Sequence, residues 1–450
     1  MHDGGFTMKR TIPYPKKEIP VQAHADVVVA GGGPSGFAAA VCAARRGLSV
    51  VLIERYGFLG GMATAGAVGT VCGLYLHHPD RIEHIIEGFA QEVADALVAR
   101  GGAFGPFIRD GFTALLYNPW HVKRLADEWV STEENITLML HSRMADVVME
   151  GDSISALVVA SPEGLFAVTG EVFVDATGDA VVALAGGAET AKGDENGSVM
   201  TPTMMFFCQG MDIVAYQQEG MAVLNERIKT ALDEGTYPLT VGQGLVIPTF
   251  RPGEAMVKIS SLSHEGRALD GSRVSDISRA ELLGREGAEV AMEFLRNEVP
   301  GFAAAFLSDT ATQVGIRETR RVVGEYVLTK DDVLEGRRFD DDVCLSSWPL
   351  EMWDEGALEP RLVFLEDGRY YGIPYRCMLP KGVSNLLVTG RAVSTDHDAL
   401  ASSRVMGPCM AEGQAAAVAA DFAVRNKIPL IDVDTKALRA ELTAGGARLE

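Results

Sequence analysis

An α/β protein whose main sheet is left and re-entered by the chain is the fold this sequence predicts. Three short apolar runs, each ending in glycine, carry the prediction: residues 26–33, 172–178 and 385–390. Each reads as a buried strand stopped by a tight turn. Because they lie far apart, they predict one discontinuous domain interrupted by insertions.

The first twenty residues carry Lys9, Arg10, Lys16 and Lys17 with no apolar core after them, so they read as a loose arm and not as a secretory signal. Residues 26–30 then form a strand that enters Gly31-Gly32-Gly33-Pro34-Ser35-Gly36. Gly31 and Gly33 permit a tight turn and close approach of backbone to a pyrophosphate. Gly36 lets the following Ala-rich helix lie near the sheet, and that helix offers unpaired N–H groups at its start. A second strand, 48–53, ends at Glu54, 18 residues after Gly36 and placed to accept ribose hydroxyls. This is an adenine-dinucleotide cradle, which FAD and NAD share. A compact NAD dehydrogenase needs no late return to its cofactor, so the two later glycine junctions favour FAD.

The glycine-rich run 57–66 suits backbone that passes close to a ligand. From about residue 81 to 132 the apolar spacing of Ile82, Ile85, Ile86, Phe89, Val93 and Leu97 predicts helix. Strands follow at 136–140 and around Val147, and a hairpin joins 154–160 to 165–168. Residues 190–375 lose this regularity, mixing a helix near 276–297 with strand-like pieces at 325–329 and 361–364, as a substrate domain would. A helix of small residues opens near Pro408 and runs past Ala420.

The chain has 450 residues, enough for two or three domains. Its 40 basic and 61 acidic residues give a net charge of −21, which argues against binding nucleic acid. No apolar run approaches the ~18 residues of a membrane span, so the expected location is the cytoplasm. None of Cys42, Cys72, Cys208, Cys344, Cys377 and Cys409 forms a CxxC pair, which argues against an iron–sulfur cluster, a zinc ribbon or a redox dithiol. His77, His78 and His84 lack a patterned carboxylate cluster, so no metal is expected.

Taken together, GGGPSG (31–36), GFLGGMATAG (57–66), VDATGDA (174–180), GIRETRRVVGEYVLT (315–329), YGIPYRCMLP (371–380) and NLLVTGRAVSTDHDALASSRVMGPCMAEGQAA (385–416) resemble the FAD-dependent oxidoreductase family of the glutathione-reductase-like flavoproteins. The resemblance covers most of 25–425 and is weakest between about 190 and 310. It implies a Rossmann-like FAD-binding domain at 25–190 and 376–425, with a helical insertion at about 80–133. A mixed α+β substrate domain would occupy 191–375, between an arm at 1–24 and a C-terminal segment at 426–450. Carried over by residue, Gly31, Gly33, Pro34, Ser35 and Gly36 match the pyrophosphate turn, and Glu54 with Arg55 match the adenosine contacts. Gly61, Met62, Ala63 and Thr64 match the loop along pyrophosphate and flavin, and Met144 matches the adenine contact. Ala176, Thr177, Gly178 and Asp179 match the second cofactor turn, and Gly390 with Arg391 match the late contact, where Gly-Asp is commoner. Arginine there would reach a phosphate. Met406, Gly407, Gly413 and Gln414 fall on the helix that the family points at the flavin. The covalent-tether histidine of the succinate dehydrogenase group is missing before Gly60-Gly61, which implies noncovalent FAD.

A flavin accepts a hydride, so a base is needed wherever a proton leaves as well. His397, between Asp396 and Asp398, is the first choice; the other reading is an exposed loop histidine. Arg404 is placed to clamp a substrate carboxylate. Arg317, Arg320 and Arg321 would share one face if helical, there to bind an anionic substrate or to pair with Glu318 and Glu325. Tyr75, Tyr371 and Tyr375 are either ring stackers or ordinary core or surface tyrosines. The expected function is hydride transfer from a small organic molecule to FAD, by one chain or a homo-oligomer. The alternatives are an electron-transfer subunit of a larger complex and a nucleotide-binding enzyme of the same fold without redox chemistry.

Overall fold

The computed structural model describes residues 18–109 and 111–450. The four N-terminal basic residues lie outside the described residues. The first strand, β1 (Val21–Ala30), begins inside the expected 1–24 arm. β2 is Val50–Ile53, and helix α1 is Pro34–Arg45.

The main sheet runs Ile136–Met139, β2, β1, Gly164–Asp175, Ser153–Ser161, Arg143–Glu150, with Leu386–Val388 also pairing with Gly164–Asp175. The long strand thus pairs antiparallel with its hairpin partner 153–161 along its first half and parallel with Leu386–Val388 along its second. Val27 to Ala30 are almost fully buried, because both faces of this sheet are covered. Alternation sends Val27 and Val29 into the core under α1, and Val28 and Ala30 into a second core on the other face.

Register decides where the turns meet. Ala30 pairs with Ile53 and Asp175, Ile53 with Met139, and Asp175 with Val388. All five strands therefore end in one row, and the three glycine junctions open on the same edge. In parallel α/β sheets this carboxyl edge is where ligands bind.

Two stretches depart from the sequence reading. The segment from 81 to 132 is not helical throughout: helices Phe89–Ala99 and Pro119–Thr132 flank a hairpin of Ala103–Arg109 and Phe112–Tyr117. Gly101, Gly102, Gly105 and Gly111 break the helix there. Residues 315–321 are not helical either; Arg320–Val322 is a strand. The middle of the chain supplies a four-stranded antiparallel sheet, ordered Leu245–Pro248, Ala255–Lys258, Met205–Gln209, Phe306–Thr310. No helix among the described residues is long and apolar enough to cross a membrane.

Candidate active site

A cavity of about 1350 Å³ opens at the carboxyl edge of the main sheet. That exceeds the ~300–1,000 Å³ of an ordinary small-molecule site, leaving room for a dinucleotide and a second, small molecule.

The first junction is shaped by contact. Gly31 has φ +101°, and a Cβ there would stand 2.5 Å from the carbonyl oxygen of Ala176, so the first and second turns touch through backbone. Gly36 is closer still, since its Cβ would meet the Gly31 carbonyl oxygen at 1.8 Å. Glu54 closes the turn from β2: its carboxylate accepts the Gly32 N–H at 2.7 Å and the Tyr56 N–H at 2.9 Å. Burial pushes its pKa up, against the pull of those two N–H groups and Arg55. Arg55 donates to Gln313 at 2.8 Å and packs over the Tyr56 ring.

At the second junction the buried Asp175 carboxylate accepts the Thr177 hydroxyl at 2.6 Å and the backbone N–H groups of Val182 and Ala183. Asp179 accepts from Arg391 at 2.6 Å and from the Thr319 hydroxyl at 2.8 Å. Arg391 also donates to the carbonyls of Gly178 and Ile316. Sequence did not reveal this brace: the guanidinium ties the third junction to the second while still lining the cavity. Gly390 N–H is in turn held by the buried Glu412 at 2.6 Å.

Of the expected cofactor residues, Gly31, Gly33, Pro34, Ser35, Glu54, Arg55, Gly61, Met62, Ala63, Met144, Ala176, Thr177, Gly178, Asp179, Gly390, Arg391 and Met406 all line this one cavity. Five others do not. Gly36 and Gly413 are packing positions; a Cβ at Gly413 would stand 2.2 Å from the Ser35 carbonyl oxygen, so Gly413 lets the helix Met406–Asn426 lie on α1. Gly407 faces the backbone of Gly73. Thr64 donates to the Leu59 carbonyl at 2.8 Å. Gln414 points away from the cavity, accepting from Phe89 N–H and donating to the Gly445 carbonyl. The helix also opens two residues before Pro408, so its first turn presents the N–H groups of Met406 and Gly407 and a proline without one.

The expected base is not at the cavity. His397 is absent from its lining, and its Nδ1 lies 3.0 Å from Glu318, which is buried and paired with Arg321. Burial lowers the His397 pKa, but Glu318 outweighs it and the net shift is upward. This is a buried ion network that ties the segment after the third junction to the strand Arg320–Val322. The three arginines likewise part company: Arg317 lines the cavity, Arg320 donates to the Asp179 carbonyl, and Arg321 serves the Glu318 pair. The three tyrosines are core residues. Tyr75 packs on His84, Tyr371 hydrogen-bonds Ser402, and Tyr375 donates to the Leu430 carbonyl.

Arg404 does line the cavity, in company that sequence spacing did not reveal. With it stand Lys258, Arg317, Glu351, Trp348 and Trp353. The Arg317 guanidinium lies 4.2 Å from the Trp353 ring centroid, and the Lys258 ammonium 4.4 Å. Glu351 accepts from Trp353 Nε1 at 2.9 Å and Trp348 Nε1 at 3.3 Å. Burial pushes Glu351 up, but Arg404, Lys258, the Trp353 N–H and Arg317 more than offset it, so it stays ionised. Burial, with Arg317 and Arg404 nearby, lowers Lys258 to about 8. The one sequence hint was two of the chain's four tryptophans bracketing Glu351 within six residues. The hairpin adds an apolar wall from Phe104, Phe107 and Phe112. No group of three or more His, Cys, Asp or Glu among the described residues could hold a metal.

Comparison with known proteins bears on what this cavity holds. Over 86 residues the chain is 35% identical to the urocanate reductase of Eggerthella lenta, a match spanning 19% of this chain and 14% of that protein. An aromatic hydroxylase from angucycline biosynthesis is similar in structure, with TM-score 0.50, 14% identity, and coverage of 94% of this chain and 68% of that one. The p-nitrophenol 4-monooxygenase of Pseudomonas putida gives 0.47 and 13%, covering 94% and 89%. At such identities the likeness is one of fold. The model describing FAD dependent oxidoreductases matches residues 26–442, taking in all three glycine junctions, and the chain belongs to that family.

Proposed function

We propose that this FAD-dependent oxidoreductase is a dehydrogenase or oxidase that moves a hydride from a small organic anion to noncovalently held FAD. The observation that carries the reading is the continuity of one cavity, from the three aligned glycine junctions to the cluster of Lys258, Arg317, Arg404 and Glu351. Residues 25–190 and 376–425 would form the cofactor domain and 191–375 the substrate domain, in a cytoplasmic enzyme acting alone or as a homo-oligomer.

The donor set suits FAD. A Cβ at Gly33 would meet only the Gly61 Cα, at 3.9 Å, so this glycine leaves open space on the cavity wall beside the helix start, and pyrophosphate needs such a cradle. Glu54 would hold the ribose while fixing the Gly32 turn. Gly61, Met62 and Ala63 would run along the pyrophosphate and flavin, and Met406 would stand at the helix end nearest the ring. When bound, FAD supplies the two-electron acceptor.

The chain's own residues then bind and orient the donor. Arg317 and Arg404 supply planar forks for a carboxylate, and Lys258 supplies a point charge. Trp348 and the hairpin phenylalanines exclude water from the same space, which strengthens each of those charges. Glu351 keeps the cations from repelling one another apart.

The test is an anaerobic reduction screen of the yellow protein against small carboxylates and their neutral amides. Bleaching by anionic donors, lost in Arg317→Met and Arg404→Met with FAD still bound, is the expected result. Bleaching by neutral donors at the same rate in all three proteins would refute the anionic substrate.

A further inference from the structure

Three cations and one carboxylate meet on the wall of this cavity, a surplus of two positive charges in a largely buried space. Their hydrogen bonds do not neutralise it. Arg317 donates to the Thr201 carbonyl and Arg404 to the Glu351 backbone carbonyl, both uncharged acceptors. Among the described residues the buried Nε of Arg404 has no hydrogen-bond partner. The Glu351 carboxylate is itself occupied by two indole N–H groups. The surplus is held together by the Trp353 ring, which both Lys258 and Arg317 approach within 4.4 Å. Buried cations without matching anions are costly unless a ligand completes them.

Resting on the reading of this cavity as a flavin enzyme's substrate site, we propose that the substrate is a small organic dicarboxylate. It is bound as a dianion by Lys258, Arg317 and Arg404, with its carbon skeleton against Trp348 and Phe112. A monocarboxylate satisfies one fork and leaves a positive charge uncompensated. A neutral diamide leaves both.

The groups around Lys258 give a second readout. Burial first, then Arg317 and Arg404, lower its pKa to about 8, while Glu351 and Cys72 act in the opposite direction. A dianion seated beside it raises that value. Burial and Arg404 lower Arg317 as well, to about 9, so at about pH 8 Arg317 keeps most of its proton and the uptake on binding reports Lys258; dicarboxylate affinity falls as pH rises through the Lys258 value.

The experiment titrates the FAD-loaded protein with succinate, glutarate, butyrate and succinamide, read by calorimetry and by the shift of the flavin absorbance. The calorimetry is run at about pH 8 in two buffers of different ionisation heat. A dicarboxylate should bind roughly tenfold or more tightly than butyrate, with proton uptake. Lys258→Met should remove both the preference and the uptake, weakening succinate roughly tenfold or more beyond any loss of butyrate affinity. Equal affinity for succinate, glutarate and butyrate in a protein that retains FAD overturns the dicarboxylate. Preference without proton uptake overturns the role of Lys258. A protein that retains no FAD fails the functional reading instead, so the two failures are distinguishable.

Discussion

Glu412 lies in the second turn of the helix Met406–Asn426 with no exposed surface. One carboxyl oxygen accepts the Gly390 N–H at 2.6 Å, and the other has no hydrogen-bond partner among the described residues. Burial raises its pKa from 4.5 to about 8, opposed only by that single N–H. The folded chain therefore keeps this proton at neutral pH, whereas the unfolded chain gives it up. Stability from this residue is fully present below 4.5 and is lost as pH rises to about 8. At about 1.4 kcal/mol per pH unit, the loss reaches about 5 kcal/mol at the upper end. Glu412→Gln keeps an acceptor for Gly390 and has no proton to lose. Allowing about 1–3 kcal/mol for its buried amide hydrogens, the variant should gain about 2–4 kcal/mol near pH 8. Near pH 4.5 that cost stands almost alone, and the variant should be about 1–3 kcal/mol less stable than the parent. Urea midpoints measured from pH 4.5 to 8 test this. Parallel stability curves for the two proteins would refute the reasoning, because they would mean that Glu412 titrates alike folded and unfolded.

Two further substitutions separate binding from scaffolding. Glu54→Ala removes the acceptor of two backbone N–H groups, each a charge-assisted bond worth about 1.5–3 kcal/mol, so both the thermal midpoint and FAD affinity should fall; an unchanged midpoint and unchanged FAD titration would show that Glu54 holds neither turn nor ribose. His397→Ala should leave anaerobic flavin reduction within about threefold and cost about 1–3 kcal/mol by stripping a partner from buried Glu318; a fall of about 10²–10⁴-fold in reduction with FAD bound would restore the histidine as the base.

The cofactor half of this protein was legible because its signals are local. A buried strand running into glycine is written in consecutive residues, and 26–36, 172–179 and 385–391 each state it alone. What sequence did not state was that Ala30, Asp175 and Val388 end in one row, although the order of the three junctions implied it. The hairpin within 103–117 was missed because Phe104, Phe107 and Phe112 add to an apolar run that had begun with helical spacing. The glycines between them were the better guide. Arg391 was read toward a phosphate, and no signal in the sequence showed that its guanidinium also holds Asp179 and the carbonyls of Gly178 and Ile316. The substrate end was hardest. Lys258, Arg317, Glu351 and Arg404 come from four separate segments, so no spacing joins them, whereas His397 stood out only through neighbouring aspartates. Gln414 shows the same limit, since helix position alone does not say which side of the helix faces the ring.

The most direct measurement denatures the purified protein in acid and weighs both fractions by mass spectrometry. About one intact FAD per chain in the supernatant, with the polypeptide at its unmodified mass, is the result expected from three glycine junctions and no tether. A flavin adduct on the polypeptide, or a colourless protein that releases no FAD, would contradict it.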